Sequence, residues 1–159
     1  MTEMHGEELR AFREQTLYRL LLRARRAENV EMVGRIRARG YPDLQSSYPA
    51  VLANLDEEGT SITRLAQRAG ITRQAASQRI KEIEARGYVK TIPDPEDGRA
   101  LLVRRTKRGQ SLLLTALEVV AELESGYADH LGTRKFDQLR KLLAELLESI
   151  DPVQTLGPG

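Results

Sequence analysis

The sequence predicts a mainly α-helical fold that carries one small β-hairpin. Over most of the 159 residues, apolar side chains recur at steps of three and four, which is the spacing of amphipathic helices. One segment, Tyr88 to Ile92, changes to β-branched and aromatic residues and is followed by turn formers, as is typical of a hairpin. Aromatic residues make up only 4% of the chain, so we expect a core of Leu, Ile, Val and Ala.

Several classes of protein are excluded by what the sequence lacks. There is no Cys, which excludes disulfides, thiol-based redox sensing and zinc held by Cys. No run of about 18 apolar residues exists, and no basic region precedes an apolar one at the start, so we expect no membrane span, no signal peptide and a cytoplasmic location. We expect no metal, because His5 and His130 are the only histidines and no ligand spacing accompanies them. Phosphate-binding glycine loops and a Ser–His pair are also missing, so we expect neither a cofactor nor an enzyme.

Positive charge is concentrated in the middle of the chain. The formal net charge is only +2, but the segment from Ser61 to Arg108 holds 12 basic and 5 acidic residues, and the remainder therefore carries −5. A basic block in an otherwise acidic chain is typical of a lobe that binds a polyanion such as DNA. A solvated charged surface gives the same count, so charge alone leaves both interpretations open.

The first part of the chain reads as two helices. Apolar periodicity predicts one long helix over Glu7–Ala38, ended by the turn that begins at Gly40. A second helix fits about Leu44–Leu55, with Pro49 marking where its regular part begins. Residues 56–59 are predicted to form a loop.

Two short helices follow, joined by a tight turn. The first has Thr60 or Ser61 as its N-cap and is closed by Gly70. The second is capped by Thr72 and runs to about Arg86. Two short helices joined in this way are the helix-turn-helix arrangement.

A hairpin and two long helices complete the chain. Residues 88–92 and 100–105 are predicted strands, and residues 93–98 form the turn between them. A helix capped by Thr106 runs to about Leu131, and Gly132-Thr133 then breaks it and caps a last helix that ends near Ile150. The first of these helices is apolar around most of its girth, which indicates a second partner surface.

A hairpin directly after a helix-turn-helix gives the winged helix order. On the second short helix, Ala76, Ile80 and Ile83 fall on one side at about 100° per residue. The opposite side carries Gln74, Ser77, Gln78 and Lys81, with Arg73 at its edge. Arg and Lys suit guanine, Gln suits adenine and Ser meets either, so this side is suited to base edges in the major groove. An ordinary amphipathic helix with a solvated face is the alternative.

The hairpin tip supplies a second candidate contact. Arg99 lies beside the turn, and a cationic tip of this kind reaches into narrow minor grooves. The alternative is that Arg99 pairs with Asp97 or Asp94 merely for local order, and both interpretations hold together if the carboxylate orients the guanidinium. Tyr18, Tyr41, Tyr48 and His130 are candidates for contact with a small molecule, although packing is the commoner role of such side chains.

A set of short signatures follows in one order along the chain, and none is specific alone. They are Leu65-Ala66, Ala69-Gly70-Ile71-Thr72, Ala76-Ser77, Ile80, Ile83-Glu84, Gly87-Tyr88-Val89-Lys90, Asp94-Pro95, Asp97-Gly98-Arg99 and Thr106 with Gly109. In this combination the chain resembles the MarR family of transcription regulators, over about Leu17 to Ile150. Two positions depart from the pattern: Arg105 stands where an apolar residue is usual, and Gln78 stands where Arg is frequent.

The resemblance implies a homodimeric repressor that binds a pseudo-palindromic operator in double-stranded DNA and is released by a small aromatic or phenolic effector. It implies dimerisation helices at residues 1–43 and 106–150, a winged helix-turn-helix DNA-binding lobe at 44–105 and a disordered tail at 151–159. The DNA-binding residues that it implies are Thr72, Arg73, Gln74, Ser77, Gln78, Lys81, Asp97 and Arg99. A winged helix that binds proteins, or binds DNA without sequence preference and without an effector, is the alternative.

Overall fold

The computed structural model describes residues 6–95 and 100–150. Within these residues the helices are α1 (Gly6–Gln15), α2 (Leu17–Ala38), α3 (Pro49–Leu52), α4 (Ile62–Ala69), α5 (Arg73–Ala85), α6 (Lys107–Leu131) and α7 (Thr133–Ile150). The strands are β1 (Thr60–Ser61), β2 (Val89–Pro93) and β3 (Leu101–Arg105). The predicted class, mainly helical with a small hairpin, is confirmed. The tail at 151–159, predicted to be disordered, lies outside the described residues.

The chain divides into two compact units, with the boundary after Leu117 inside α6. The first unit holds α1 to α5, the sheet and the first turns of α6. The second holds the rest of α6 and α7. No helix in the described ranges has the length and apolar character needed to cross a membrane.

The single long helix predicted at the start of the chain is wrong, because the helix is interrupted at Thr16. The backbone of Thr16 is extended (φ −62°, ψ 142°), and its hydroxyl oxygen accepts a hydrogen bond from the Arg19 N–H. The same hydroxyl donates to the Arg13 carbonyl at 2.9 Å. Thr16 therefore ends α1 and caps α2, since a Thr hydroxyl competes with the helical backbone for hydrogen bonds.

The second predicted helix is real but much shorter than Leu44–Leu55. It begins at Pro49, as Pro at the first helical position favours, and ends at Leu52. The carbonyls of Leu52 and Leu55 accept hydrogen bonds from the Arg105 guanidinium, at 3.2 and 2.5 Å. Arg105, which lies fifty or more residues further along the chain, thus donates the hydrogen bonds that these carbonyls accept. The local sequence does not reveal this contact.

The helix-turn-helix forms as predicted, and its caps explain its bounds. Ser61 caps α4 by accepting from the Arg64 N–H at 3.3 Å, and Gly70 ends α4 in the left-handed conformation at φ 63°. Thr72 caps α5 by accepting from the Ala75 N–H at 3.1 Å. Leu65 from α4 is fully buried, as are the predicted inward residues of α5.

The sheet has three antiparallel strands in the order β1-β3-β2, and β1 was not predicted from the sequence. It consists of two residues, too few to show alternation. In the β2–β3 ladder Val89 lies opposite Arg105 and Lys90 lies opposite Arg104. Because side chains alternate across a sheet, Lys90 and Arg104 share the face opposite to the buried Val89.

The first turn of α6 is fastened to the base of the hairpin. The Thr106 hydroxyl donates to the Gly87 carbonyl at 2.6 Å and accepts from the Gly109 N–H at 3.0 Å. A Cβ on Gly109 would lie 1.9 Å from the Tyr88 carbonyl oxygen. Only glycine therefore permits this close approach of helix and strand.

The second unit is organised around Phe136, which is buried. The Tyr127 ring lies 6.3 Å from it, and the Arg140 guanidinium lies 5.9 Å from the centre of its ring. Arg140 also pairs with Glu124 at 3.6 Å, so α6 and α7 are held together here by aromatic and ionic contacts. Gly132 makes the break at φ 84°, whereas Thr133 is already the first residue of α7 rather than its cap.

We expect Gly109→Ala to lower the free energy of unfolding by about 3 kcal/mol, because the new methyl group overlaps a backbone oxygen that is fixed in a strand. Gly34→Ala is the matched control, since Gly34 lies in α2 and a Cβ there has no neighbour within 4 Å. That control should be neutral or stabilising by about 0.5 kcal/mol. Urea unfolding of both variants measures the difference, and equal effects would contradict the close packing at Gly109.

Candidate nucleic-acid interface

Helix α5 has one buried and one exposed side. Ala76, Ile80 and Ile83 are 0%, 2% and 0% exposed, which fixes the rotation of the helix about its axis. The residues on the opposite side span an arc of about 140°, and we call them the polar flank of α5. They are Arg73, Gln74, Ser77, Gln78 and Lys81. All of them are exposed except Ser77, which is half-buried.

The polar flank carries two cations and no carboxylate. The first acidic residue of α5 is Glu82, whose carboxylate accepts a long hydrogen bond of 3.4 Å from the Gln78 amide. Glu84 is used inside the lobe, where it accepts from the Thr91 N–H at 2.6 Å at the outer edge of β2. An anion, or an acceptor atom on a base, can therefore approach the end of α5 nearest Thr72 without repulsion from a carboxylate of the polar flank.

The structure brings together six of the eight residues predicted to bind DNA, all on or at the start of α5. Thr72 is exposed and serves as the N-cap, so it also has a structural role. Asp97 and Arg99, predicted for the hairpin tip, lie outside the described residues. Arg64, exposed on α4, is a further cation of this lobe that no sequence motif indicated.

Two of the basic residues that follow the hairpin turn form hydrogen bonds or ion pairs with other residues of the first unit. The Arg105 guanidinium donates to the carbonyls of Leu52 and Leu55, so it neither weakens the packing nor faces outward as a phosphate contact. Arg108 pairs with Asp43 at 3.0 Å, and its guanidinium lies 4.6 Å from the centre of the Tyr88 ring. Similarly, Arg68 is paired with Asp56 at 2.8 Å.

Asp43, Tyr88 and Arg108 form one cluster that joins three parts of the first unit. The Tyr88 hydroxyl donates to the Asp43 carboxylate, and Arg108 donates to both Asp43 oxygens and to the Tyr88 oxygen. Burial raises the pKa of Tyr88 to about 12, with the Asp43 contact acting in the same direction. Burial also raises the pKa of Asp43, but the hydrogen bond from Tyr88 and the charges of Arg108 and Arg86 outweigh it and hold that pKa below its ordinary value.

This cluster fixes where the loop after α2, the start of β2 and the start of α6 lie relative to one another. The three residues are 20 to 65 positions apart along the chain. No spacing or motif connects them, so the cluster could not be predicted from the sequence.

The four candidate effector residues have very different surroundings. Tyr18 is 72% exposed on α2, and His130 is exposed near the end of α6. Tyr41 is half-buried, with its ring 6.2 Å from that of Tyr88. Tyr48 is completely buried beneath the Arg86 guanidinium, and its hydroxyl has no hydrogen-bond partner among the described residues. The three tyrosines, all in the first unit, therefore have no common surroundings, and His130 belongs to the second unit.

Comparison with known proteins identifies the lobe. The family model described as "MarR family" matches residues 43–100, which include α3, α4, α5 and β2. The curated transcriptional activatory protein BadR of Rhodopseudomonas palustris is 30% identical over 103 residues, which are 64% of this chain and 57% of BadR.

The lobe is thus similar to MarR-family proteins, over 58 of the 159 residues of the chain. The chain spans a little more than half the length of BadR. Among solved structures, the transcriptional regulator PA4135 is similar to it with 25% identity and a TM-score of 0.69, covering 86% of this chain and 98% of that one. The transcriptional repressor CouR, bound to a 23-mer DNA duplex, has the same fold with 24% identity and a TM-score of 0.66, covering 91% of this chain and 99% of that one.

Asp43→Asn should test the cluster through its pH dependence. At neutral pH we expect the free energy of unfolding to fall by about 1 kcal/mol, because Arg108 and Tyr88 lose a charged acceptor. The pKa of folded Asp43 lies below its ordinary value of 3.8, so the unfolded chain binds more protons and the stabilisation is lost as the pH falls through the folded pKa.

The difference between the native protein and the variant should therefore shrink between about pH 7 and pH 3. Urea unfolding at both pH values measures it, with Asp137→Asn, an exposed carboxylate on α7, as the control. A difference that stays constant with pH would contradict the charged contact.

Proposed function

We propose that this chain is a sequence-specific DNA-binding transcription regulator that reads duplex DNA with the polar flank of α5. The observation that carries the proposal is the rotation of α5, which buries its apolar side and leaves two amides and two cations exposed, and one hydroxyl half-exposed, without a carboxylate among them. This chemistry matches the donors and acceptors at base edges in the major groove. CouR, a protein of the same fold, is bound to a DNA duplex in its solved structure, which supports the proposal.

The roles of individual residues follow from their chemistry. Gln74 and Gln78 offer a donor and an acceptor each, which suits adenine, whereas Arg73 and Lys81 suit guanine or phosphate. Arg99, aimed by Asp97, is proposed to enter a minor groove from the hairpin tip. Thr72 holds the first turn of α5 and places its backbone N–H groups towards the DNA.

A homodimer is proposed as the active form, formed by residues 1–43 and 106–150 around the lobe at 44–105. Both units expose more large apolar side chains than an isolated chain in water favours. In the second unit and at the start of α6 these are Leu114, Leu117, Leu131, Leu139, Leu142, Leu147 and Ile150. On α1 and α2 they are Phe12, Leu17, Tyr18, Leu20, Leu21, Leu22 and Val30. A second copy that covers them would present two lobes to half-sites about 34 Å apart in a pseudo-palindromic operator.

Repression relieved by a small aromatic or phenolic effector is the proposed mode of regulation. The buried Tyr48 hydroxyl supports it, because a polar group without a hydrogen-bond partner costs free energy that an incoming acceptor or donor would recover. A ligand that binds one arrangement of the lobes better than the other lowers DNA affinity by that difference in binding free energy. The names of the relatives include both an activatory protein and a repressor, so activation is the other mode to test.

The alternative is a winged helix that binds proteins, or binds DNA without sequence preference. Competition by random duplex separates the two, because regulation requires operator affinity well above non-specific affinity. Salt dependence does not separate them, since phosphate contacts produce it in both cases. We further propose that the chain has no catalytic activity and works in the cytoplasm, where the DNA of a bacterial cell lies.

Gln74→Ala tests the reading of bases. Selection of bound duplexes from a random pool should give a changed preferred sequence, at a cost of about 1–3 kcal/mol on the native operator, because an adenine contact is lost. Gln45→Ala, on an exposed loop residue, is the matched control and should leave both unchanged. An unchanged preference for the Gln74 variant would remove its assigned role.

Arg99→Ala tests the hairpin tip separately. A gel shift should show operator affinity weakened by about tenfold or more, because a cation is removed from a groove of high negative potential. If the variant binds the operator as tightly as the native protein does, the role of Arg99 is contradicted. The role proposed for α5 is not affected by that result.

Leu142→Glu tests the dimer. Leu142 is 54% exposed on α7, and a charge there should convert the dimer to a monomer in light scattering, because its burial against a partner would desolvate a carboxylate. Leu101→Glu is the matched control, since Leu101 is 50% exposed on β3. A native protein that is already monomeric at working concentration would overturn the dimer itself.

A further inference from the structure

A cleft at the base of the hairpin collects positive charge away from the polar flank of α5. Its volume is about 490 Å³, and four cations line it together with one carboxylate, a formal charge of +3. The cations are Lys90, Arg104, Arg105 and Lys107, and the carboxylate is that of Glu57. Thr106 and Gln110 add polar groups to the lining. The cleft lies entirely within the first unit.

Three of these cations are available to a ligand. Lys90 and Arg104 are opposite each other in the β2–β3 ladder and project from the same face, and Lys107 is the first residue of α6. All three are exposed, and none of their side chains has a hydrogen bond or an ion pair with a side chain or backbone group of the described residues. Arg105 is different, because the carbonyls of Leu52 and Leu55 already occupy its guanidinium.

The start of α6 adds to the positive potential of the cleft. The N-terminus of a helix carries partial positive charge, so acidic side chains are favoured there. The first turn of α6 has none and instead contains Lys107 and Arg108. Asp43 neutralises Arg108, but no described carboxylate neutralises Lys107. Several like charges held together in this way are stabilised by an anion that bridges them.

The position of the cleft argues against duplex DNA as its occupant. Lys90 and Arg104 lie on the sheet face opposite to Val89, which is buried in the lobe core with Ile80 and Ile83 of α5. They are also three register positions from the Pro93–Leu101 pair at the hairpin turn, which is about 10 Å. We therefore expect an operator that contacts α5 and the hairpin tip to approach the lobe from another face, and the operator-binding measurement below tests this. A concave site of this volume is the size of those that hold small molecules.

We propose that this cleft binds a small organic polyanion with two or more phosphate or carboxylate groups. Lys90 and Arg104 bind one anionic group between the strands, and Lys107 with the first N–H groups of α6 binds a second. Glu57 and Gln110, which also line the cleft, accept hydrogen bonds from or donate them to the neutral part of the ligand. The inference goes beyond the proposed regulator and does not depend on it.

Inorganic pyrophosphate and citrate are the two probes, one for each kind of anionic group. We expect calorimetry to detect binding of at least one of them to the native protein. In the triple variant Lys90→Gln, Arg104→Gln, Lys107→Gln the affinity for that probe should be about tenfold lower or more, because charge-assisted hydrogen bonds are removed. The stronger probe identifies the phosphate or the carboxylate source. The matched control is Arg64→Gln with Arg73→Gln and Lys81→Gln, three exposed cations outside the cleft.

Probe affinity in the control variant should stay within about twofold of native, whereas operator binding should be lost in the control and kept in the cleft variant. Equal loss of probe binding in both variants would overturn the site, since the probe would then respond to overall charge. Loss of operator binding in the cleft variant would also overturn it, because DNA phosphates would be the occupant. No detectable binding of either probe to the native protein would overturn it directly.

Discussion

The two-sidedness of α5 is the constraint on which the candidate interface depends. Ile80 and Ile83 occupy the core of the lobe, so the helix cannot rotate without exposing them. Exposure of each such side chain costs about 1.5–3 kcal/mol, far more than any contact on the polar flank contributes to stability. Core packing therefore decides which residues meet solvent, and any ligand of α5 meets the same side.

A second layer of contacts places α5 relative to the rest of the first unit. Glu84 accepts a hydrogen bond from the free edge of β2, and the cluster of Asp43, Tyr88 and Arg108 connects the loop after α2 to α6. The absence of a side chain at Gly109 lets α6 approach the strand that begins after Tyr88. The contacts of Glu84 and of the cluster are polar and partly exposed, so each contributes modestly to stability, whereas the close approach at Gly109 is buried. Together they give the lobe one geometry, which a protein that reads fixed half-sites requires.

The basic block of the sequence separates into groups with different roles once the chain is folded. Arg68, Arg105 and Arg108 are bound to acceptors within the lobe. Arg73 and Lys81 lie on the polar flank of α5, whereas Lys90, Arg104 and Lys107 lie in the cleft on another face. A count of charge along the chain does not separate these groups. The residue type gives the charge of each side chain, whereas the neighbours of that side chain in the folded structure decide its role.

The sequence by itself determined the helix-turn-helix, the hairpin, the caps at Thr72 and Thr106 and the two sides of α5, because each depends on periodicity or on hydrogen bonds within a few residues. It also showed a resemblance to the MarR family, through short signatures in a fixed order, and the family model matches residues 43–100. Only the tertiary structure decided that α3 is a single turn, that Thr60 and Ser61 form a third strand, and that Arg105 and Arg108 serve the lobe. Each of these depends on a partner that lies tens of residues away, such as the carbonyls of Leu52 and Leu55 for Arg105, and no local pattern encodes such a pairing.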